Sequence, residues 1–571
     1  MKTAALLLAA ALAAPASAAA LRVPSPKDLS VEELVGQVFL IAVDTEIAAA
    51  RRQDIEAGRL GGALLRWDRF TGPEARAFAA ETRAWSLKSP HRVPLWLATD
   101  HEGGPVFTQR LYGAAPFPGN MALGATRSPA LAYAAARETA GELKALGLQI
   151  TFAPVLDVNT NPRDPIIGVR SFGDDPALVA RLGVAALRGY RDGGLLPVPK
   201  HFPGHGDTTT DSHLGLPVNL KPLSKLDAVE LVPFRAAFAA GARAVMPAHM
   251  VFPALGTARD QPVTLSSAAL RGFLRARLGF KGLIFSDSLD MGAIADVHGS
   301  SEAAVEALEA GNDVLLLGKG DFPSAFAAVV AAVRSGRIPR ARLERSVARI
   351  LRAKRRLGLF SAAPLPPAET AAARARGRAL ARRVAEHAVT LVKNEGLLPL
   401  RLKPAQVLAV LLVHSPRYDA EAARFAAEIA RRHARTVFVD LPELSPSTAA
   451  VADALSRARG AAAAVVGTYR YGGETPAGQE RLLAGLAGSG IPFAAVSLMN
   501  PYDLEASTAA RAQVCAYGIT DSALAAAARL LFGKIRPRGR LPVSVPGVAP
   551  RGAGLQRFGR ARGRARPQPR P

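Results

Sequence analysis

Eight short apolar stretches recur before residue 320: Val38–Val43, Gly62–Arg66, Pro94–Asp100, Leu148–Val155, Leu195–His201, Ala244–His249, Gly282–Asp287 and Asp313–Gly318. Most are separated by segments of helical period. Strands that alternate with amphipathic helices predict parallel βα units, and eight of them predict a (β/α)8 TIM-like barrel. Residues 321–385 continue in an Ala- and Arg-rich helical pattern interrupted by Pro364, Pro366 and Pro367, which predicts the last barrel helices and a linker. Four further stretches, Val407–Val413, Thr436–Asp440, Ala463–Gly467 and Phe493–Leu498, predict a second, smaller α/β unit. From Arg551 onward Gly, Arg and Pro dominate, a composition that predicts disorder.

The N-terminus has Lys2, an apolar run from Ala4 to Ala14, and then Ala16, Ser17 and Ala18. This reads as a secretory signal peptide cleaved before Ala19. The run is short for a membrane anchor, the alternative. The expected division is a signal peptide over 1–18, a barrel over 19–360, a linker over 361–385, a C-terminal domain over 386–548 and a basic tail over 549–571. The expected protein is exported, periplasmic or extracellular, without stable membrane insertion.

Length and composition narrow the classes further. A chain of 571 residues suggests two or three domains, and 49% hydrophobic residues suffice for sizeable cores. The one cysteine, Cys515, rules out an internal disulfide and is expected in the core. The net charge of +25 invites a nucleic-acid reading. Its Arg residues are spread along the chain, however, and no recognition helix or aromatic-basic interleaving accompanies them. No nucleic-acid partner is expected. An anionic envelope polymer fits the charge, and so does a plain compositional bias toward Arg.

The chemistry concentrates in one segment. Residues 200–213 hold Lys200, His201, His205, His213, Asp207 and Asp211, interleaved with Pro203, Gly204 and Gly206. An extended apolar run delivers Lys200 and His201 at its end, and a tight loop follows. Such a cluster of titratable groups marks a site more often than a solvated loop. His201, His205, Asp207 and His213 include metal-ligand types, but their spacing matches no established metal motif, so no metal and no cofactor are expected. Asp100, Lys200, His201, His249 and Asp287 all fall at the C-terminal ends of predicted strands, the face of a barrel where active sites assemble.

The segment from Lys200 to His213 resembles the signature of glycoside hydrolase family 3, in its β-N-acetylglucosaminidase branch. Separate blocks agree with it: Asp100–Gly104, Phe152–Val158, Ile167–Phe172 and Phe285–Leu289. The resemblance covers about residues 30–360. It continues more weakly to about 548, where Ala388–Asn394, Leu398–Leu400, Leu530–Lys534 and Gly539–Val543 look like parts of the family's C-terminal α/β sandwich. The resemblance implies retaining hydrolysis of terminal β-linked GlcNAc, with Asp287 as nucleophile and His213 as acid/base paired with Asp211. It implies sugar contacts from Asp100, Arg170, Lys200 and His201. His249 is expected to serve as support.

Rival readings attach to the same residues. Asp287 is also a plausible helix cap, and Asp290 is the competing carboxylate. Arg170 has Asp174 and Asp175 as alternative partners. Pro105 stands where the family often has an Arg, and the next Arg is Arg110. The expected partner is a GlcNAc-containing glycan, from peptidoglycan fragments or from chito-oligosaccharides; the oligomeric state is open. A β-glucosidase with Glu474 as acid/base and a β-GlcNAc phosphorylase are the rival enzymes. A non-catalytic wall-binding protein is the rival of another class.

Overall fold

Strands buried on both faces are continuous apolar runs rather than alternating ones, and the barrel strands obey this. They are β1 (Phe39–Val43), β2 (Gly62–Leu65), β3 (Trp96–Thr99), β4 (Ile150–Thr151), β5 (Leu196–Pro197), β6 (Ala244–Val245), β7 (Leu283–Ile284) and β8 (Leu315–Leu317), and every residue in them is buried. The computed structural model describes residues 21–66, 68–106, 108, 113–318, 320–361 and 363–559. The expected signal peptide and Arg110 lie outside the described residues.

Six strands pair in the order β5-β4-β3-β2-β1-β8, and β6 pairs with β7, all in parallel. Single bridges between Phe202 and Pro247 and between Phe285 and Val314 join the two groups into a closed ring. The eight strands match the eight apolar stretches of the sequence. Trp96 and Phe152 pack on Phe285, each with ring centroids 5.8 Å apart, and so fill the barrel interior. Helices cover the outside, and their starts follow local chemistry. Ser128, Asp175 and Asp321 each cap a helix that begins with Pro at its first or second position. Asp175 is therefore a helix cap and not the partner of Arg170.

The C-terminal domain has a six-stranded sheet in the order β11-β10-β12-β13-β14-β9. Its strands are β9 (Thr390–Asn394), β10 (Leu408–Val413), β11 (Thr436–Leu441), β12 (Ala463–Thr468), β13 (Phe493–Ser497) and β14 (Ala512–Cys515). Only β9 runs antiparallel, on β14. Apolar clusters fill both faces of the sheet, which makes it an α/β sandwich. Sequence pattern alone finds β10–β13. It misses β14, which is four residues long and carries Gln513. Cys515 is buried in that strand.

One boundary needs correction. Residues 549–559, expected in a disordered tail, pack on the domain. The Leu541 and Gly552 amides donate to Ala553 O and Leu541 O at 2.8 Å, and the Leu555 amide donates to Leu391 O at 2.7 Å. Arg551 pairs with Asp174 at 2.7 Å. Backbone pairing, which composition does not reveal, holds this stretch.

The helix Ala371–Ala388 leads into the second domain and packs on the barrel helix Pro129–Ala145. Glu142 is buried between them. Its Oε1 accepts from the Ala115 amide at 3.1 Å, while Oε2 has no hydrogen-bond partner among the described residues. Burial pushes its pKa up from 4.5 to about 8, against the Ala115 hydrogen bond and with help from the Glu369 and Glu138 charges. A carboxyl with a raised folded-state pKa favours the fold while protonated, and that contribution is lost as pH climbs from about 4.5 through about 8. Glu142→Gln should match the wild type at pH 5 to within about 0.5 kcal/mol. At pH 9 it should be more stable, by on the order of 1–3 kcal/mol. Urea unfolding at both values checks this; a variant less stable at pH 9 would contradict it.

Candidate active site

A cavity of about 370 Å³ opens at the C-terminal ends of the barrel strands. Asp100 follows β3, Lys200 follows β5 and Asp287 follows β7, so residues far apart in sequence meet at one mouth. Arg170, His201 and His213 also line it. Asp211 stands beside His213.

The floor rests on buried charge. Glu102 is 1% exposed. Its carboxylate takes a two-pronged contact from Arg170 at 2.8 and 2.9 Å and an ion pair from Lys200 at 2.7 Å. Lys200 also reaches Asp100 at 2.8 Å. Burial alone would raise the Glu102 pKa, but Arg170 and Lys200 outweigh it and hold it near about 2. Burial lowers the Lys200 pKa less than Asp100 and Glu102 raise it. The local backbone permits this placement. Gly103 and Gly104 have φ of 82° and 85°, and a Cβ on Gly104 would lie 2.7 Å from the Gly119 Cα.

A second buried carboxylate organises the His-rich segment. Asp157 accepts from the His201 amide at 3.1 Å, from the His205 amide at 2.8 Å and from His201 Nδ1 at 2.7 Å. His201 Nε2 lies 3.3 Å from an Arg170 nitrogen, so both ring nitrogens have protein partners. Burial first, and then the His201 charge, push the His205 pKa down to about 4, so its ring is neutral at pH 7. His205 Nε2 meets the Ser212 hydroxyl at 3.0 Å. A continuous chain of contacts thus runs from Asp157 through His205 to the residue between Asp211 and His213.

Asp211 Oδ1 accepts from both the His213 amide and His213 Nδ1, each at 2.8 Å. The segment is a turn. The side chain folds back on the backbone two residues on, as Asp does in turns. With Nδ1 engaged, Nε2 is the nitrogen left to exchange a proton. His213 is 43% exposed. Gly292 lets the His213 loop approach the start of the helix Gly292–His298: a Cβ there would sit 2.7 Å from His213 O.

Asp287 is partly exposed in the cavity, and its Oδ1 accepts from the Ser288 amide at 2.8 Å. Burial pushes its pKa up, but His249, His201, Lys200 and the Ser288 amide together bring it down to about 2. It is ionised at neutral pH. Asp290 also lines the cavity, and its Oδ1 accepts from the Ser288 hydroxyl at 2.6 Å and from the Gly318 amide at 2.7 Å, so it clamps the turn. His249 is buried and donates from Nε2 to Ser288 O at 2.9 Å, which fixes the backbone beside Asp287.

The second domain braces this site from outside. Tyr471 donates to Ile166 O at 3.2 Å, the carbonyl that also accepts from Arg170 at 3.1 Å. Asn159 donates to the Tyr502 hydroxyl at 2.7 Å and accepts from the Gly168 amide at 3.0 Å. Glu474 is 65% exposed, pairs with Arg163 and does not line the cavity.

The chain matches the glycosyl hydrolase family 3 N terminal domain over residues 30–353, more than half its length, and the C-terminal domain of that family over residues 389–560. It belongs to glycosyl hydrolase family 3. A β-hexosaminidase A of Pseudoalteromonas piscicida is 35% identical over 346 residues, which are 57% of this chain and 58% of that protein. A protein of Cellulomonas fimi called β-N-acetylglucosaminidase/β-glucosidase is 36% identical over 384 residues, 65% of this chain and 66% of that one. The chain thus spans less than two thirds of the length of these two curated relatives. The structure of a family 3 β-N-acetylglucosaminidase from Paenibacillus sp. str. FPU-7 superposes with a TM-score of 0.83 at 34% identity, covering 90% of this chain and 99% of that one.

Several members of this family 3 site carry no role in the sequence reading. Glu102 lies inside the Asp100–Gly104 block and Asp157 inside Phe152–Val158. Each is a carboxylate following an apolar run, a signal that could have found both. Arg66, at the end of β2, also lines the cavity. Nothing local points to Tyr471. Glu102→Ala should cost about 3–5 kcal/mol in urea unfolding at pH 7, because it strips a buried partner from Arg170 and Lys200. Glu474→Ala, at an exposed pair, should cost less than about 1 kcal/mol. Equal losses would contradict this account of the floor.

Proposed function

We propose that the chain is a retaining β-N-acetylglucosaminidase that removes terminal β-linked GlcNAc, with Asp287 as nucleophile and His213 as acid/base. The observation that carries the reading is the pairing of Asp211 with His213 Nδ1 at the same mouth as the depressed Asp287 carboxyl. The cavity, about 370 Å³, falls within the range of roughly 300–1,000 Å³ usual for small-ligand sites. In the first step Asp287 attacks the anomeric carbon while His213 Nε2–H protonates the departing oxygen. In the second step the same nitrogen, now unprotonated, takes a proton from water as the glycosyl ester is cleaved. Asp211 keeps Nδ1 protonated and so reserves Nε2 for both transfers.

Asp100 and Lys200 meet the sugar hydroxyls at the cavity wall, and Arg170 does so from a guanidinium fixed by Glu102. His201 acts through Arg170, since both its nitrogens are engaged. Peptidoglycan fragments are the leading substrate class and chito-oligosaccharides the second. An exported protein of charge +25 suits an anionic wall. The double name of the Cellulomonas fimi relative favours β-glucosides as a second substrate. Aryl β-GlcNAc against aryl β-glucoside, with and without phosphate, tests substrate choice and separates hydrolysis from phosphorolysis.

Asp287→Ala should lose about four orders of magnitude in rate or more. A fluorinated glycosyl fluoride should label Asp287, as read by peptide mass spectrometry; a label on another carboxylate would overturn its role. His213→Ala should slow glycosylation of poor leaving groups about a hundredfold to ten-thousandfold, the usual share of a proton donor. Activated aryl glycosides should lose much less in single-turnover measurements. Equal slowing of both classes would remove His213 as the donor.

A further inference from the structure

A second cavity, about 430 Å³, lies at the opposite end of the barrel. It is lined by the segments just before β5, β6 and β7 and by one face of the helix Arg340–Arg356. Its size also suits a small ligand, and it shares no residue with the candidate active site.

The lining divides in two. Leu195, Leu196, Leu283 and Phe280 are buried beneath it, with the Phe238 ring 4.7 Å from Phe280. Around this apolar part stand Arg191, Arg243, Lys281, Arg349, Arg352 and Arg356, and no carboxylate among the described residues lines the cavity. Arg191 and Arg349 are paired, with Asp192 and Asp313. The side chains of Arg243, Lys281, Arg352 and Arg356 are exposed and form no ion pair or hydrogen bond with another described residue. Arg349, Arg352 and Arg356 recur at three- and four-residue intervals, so one helix face presents like charges that repel. Guanidinium groups in this number are suited to a carboxylate or phosphate.

We propose that this cavity binds a single-chain anionic amphiphile, its alkyl chain on the apolar floor and its head among Arg243, Lys281, Arg352 and Arg356. The apolar part gives a chain a place out of water, and the uncompensated cations give the head a counter-charge. A bare anion would leave the floor unused, and a neutral chain would leave the cations unpaired. Carboxylate and phosphate heads share this chemistry.

The test is calorimetric titration of the intact protein with decanoate, decyl phosphate, 1-decanol, acetate and inorganic phosphate, all below micellar concentrations. Decanoate or decyl phosphate should bind at least tenfold more tightly than 1-decanol and the two bare anions, and whichever head binds more tightly identifies the source. Arg352→Ala with Arg356→Ala should weaken that binding at least tenfold. Arg345→Ala with Arg355→Ala removes the same charge from the same helix outside the cavity and should leave it unchanged. Ala353→Trp, which fills the apolar part and keeps the cations, should abolish it. Unchanged turnover of an aryl glycoside by each variant reports an intact fold. The proposal fails if acetate or phosphate binds as tightly as the amphiphiles, or if 1-decanol does. It also fails if the control pair weakens binding equally, or if phosphatidylglycerol vesicles bind while monomeric amphiphiles do not.

Discussion

A carboxylate taken out of water must be matched by cations held in place, and Glu102 imposes that demand on the whole upper face of the barrel. Arg170 and Lys200 come from segments 68 and 98 residues away, and both must arrive for Glu102 to stay ionised. The same two cations face the cavity. The arrangement that neutralises the buried charge therefore also fixes the groups offered to a substrate, and their geometry is set before any ligand arrives.

The site joins two kinds of support. Asp287 stands on a strand end, with His249 and Asp290 holding the adjoining backbone. His213 stands on a turn that is anchored to the barrel through Ser212, His205 and Asp157. Under the proposed roles this division is apt, since a nucleophile benefits from a fixed position, whereas an acid/base must reach a leaving group and then a water. The partly exposed imidazole of His213 suits that second task.

No described residue of the second domain lines the candidate cavity, yet the domain is coupled to it. Tyr471 and Arg170 donate to one carbonyl, Ile166 O, and Asn159 links the Tyr502 hydroxyl to the Gly168 amide. The loop that carries Arg170 is held between the two domains. In the proposed mechanism this gives the C-terminal sandwich a positioning part and no reacting group.

The sequence by itself determined the elements that local pattern encodes. Eight buried strands leave eight apolar runs, and strand-end charges such as Asp100, Lys200 and Asp287 stand out against them. The crowded segment from Lys200 to His213 is legible because imidazoles, Gly and Pro seldom share fourteen residues without a site. β14 was not legible, because four residues with a buried Gln lack a pattern. Nor was the order through residue 559, which depends on pairing with Leu391 and Leu541. How the two carboxylates differ is visible only in three dimensions: both line the cavity, but Asp290 accepts from the Ser288 hydroxyl and the Gly318 amide, while Asp287 accepts from the Ser288 amide. The same holds for Glu102, Asp157 and Tyr471. Their roles consist of contacts with residues tens to hundreds of positions away, and such contacts leave no trace in local spacing.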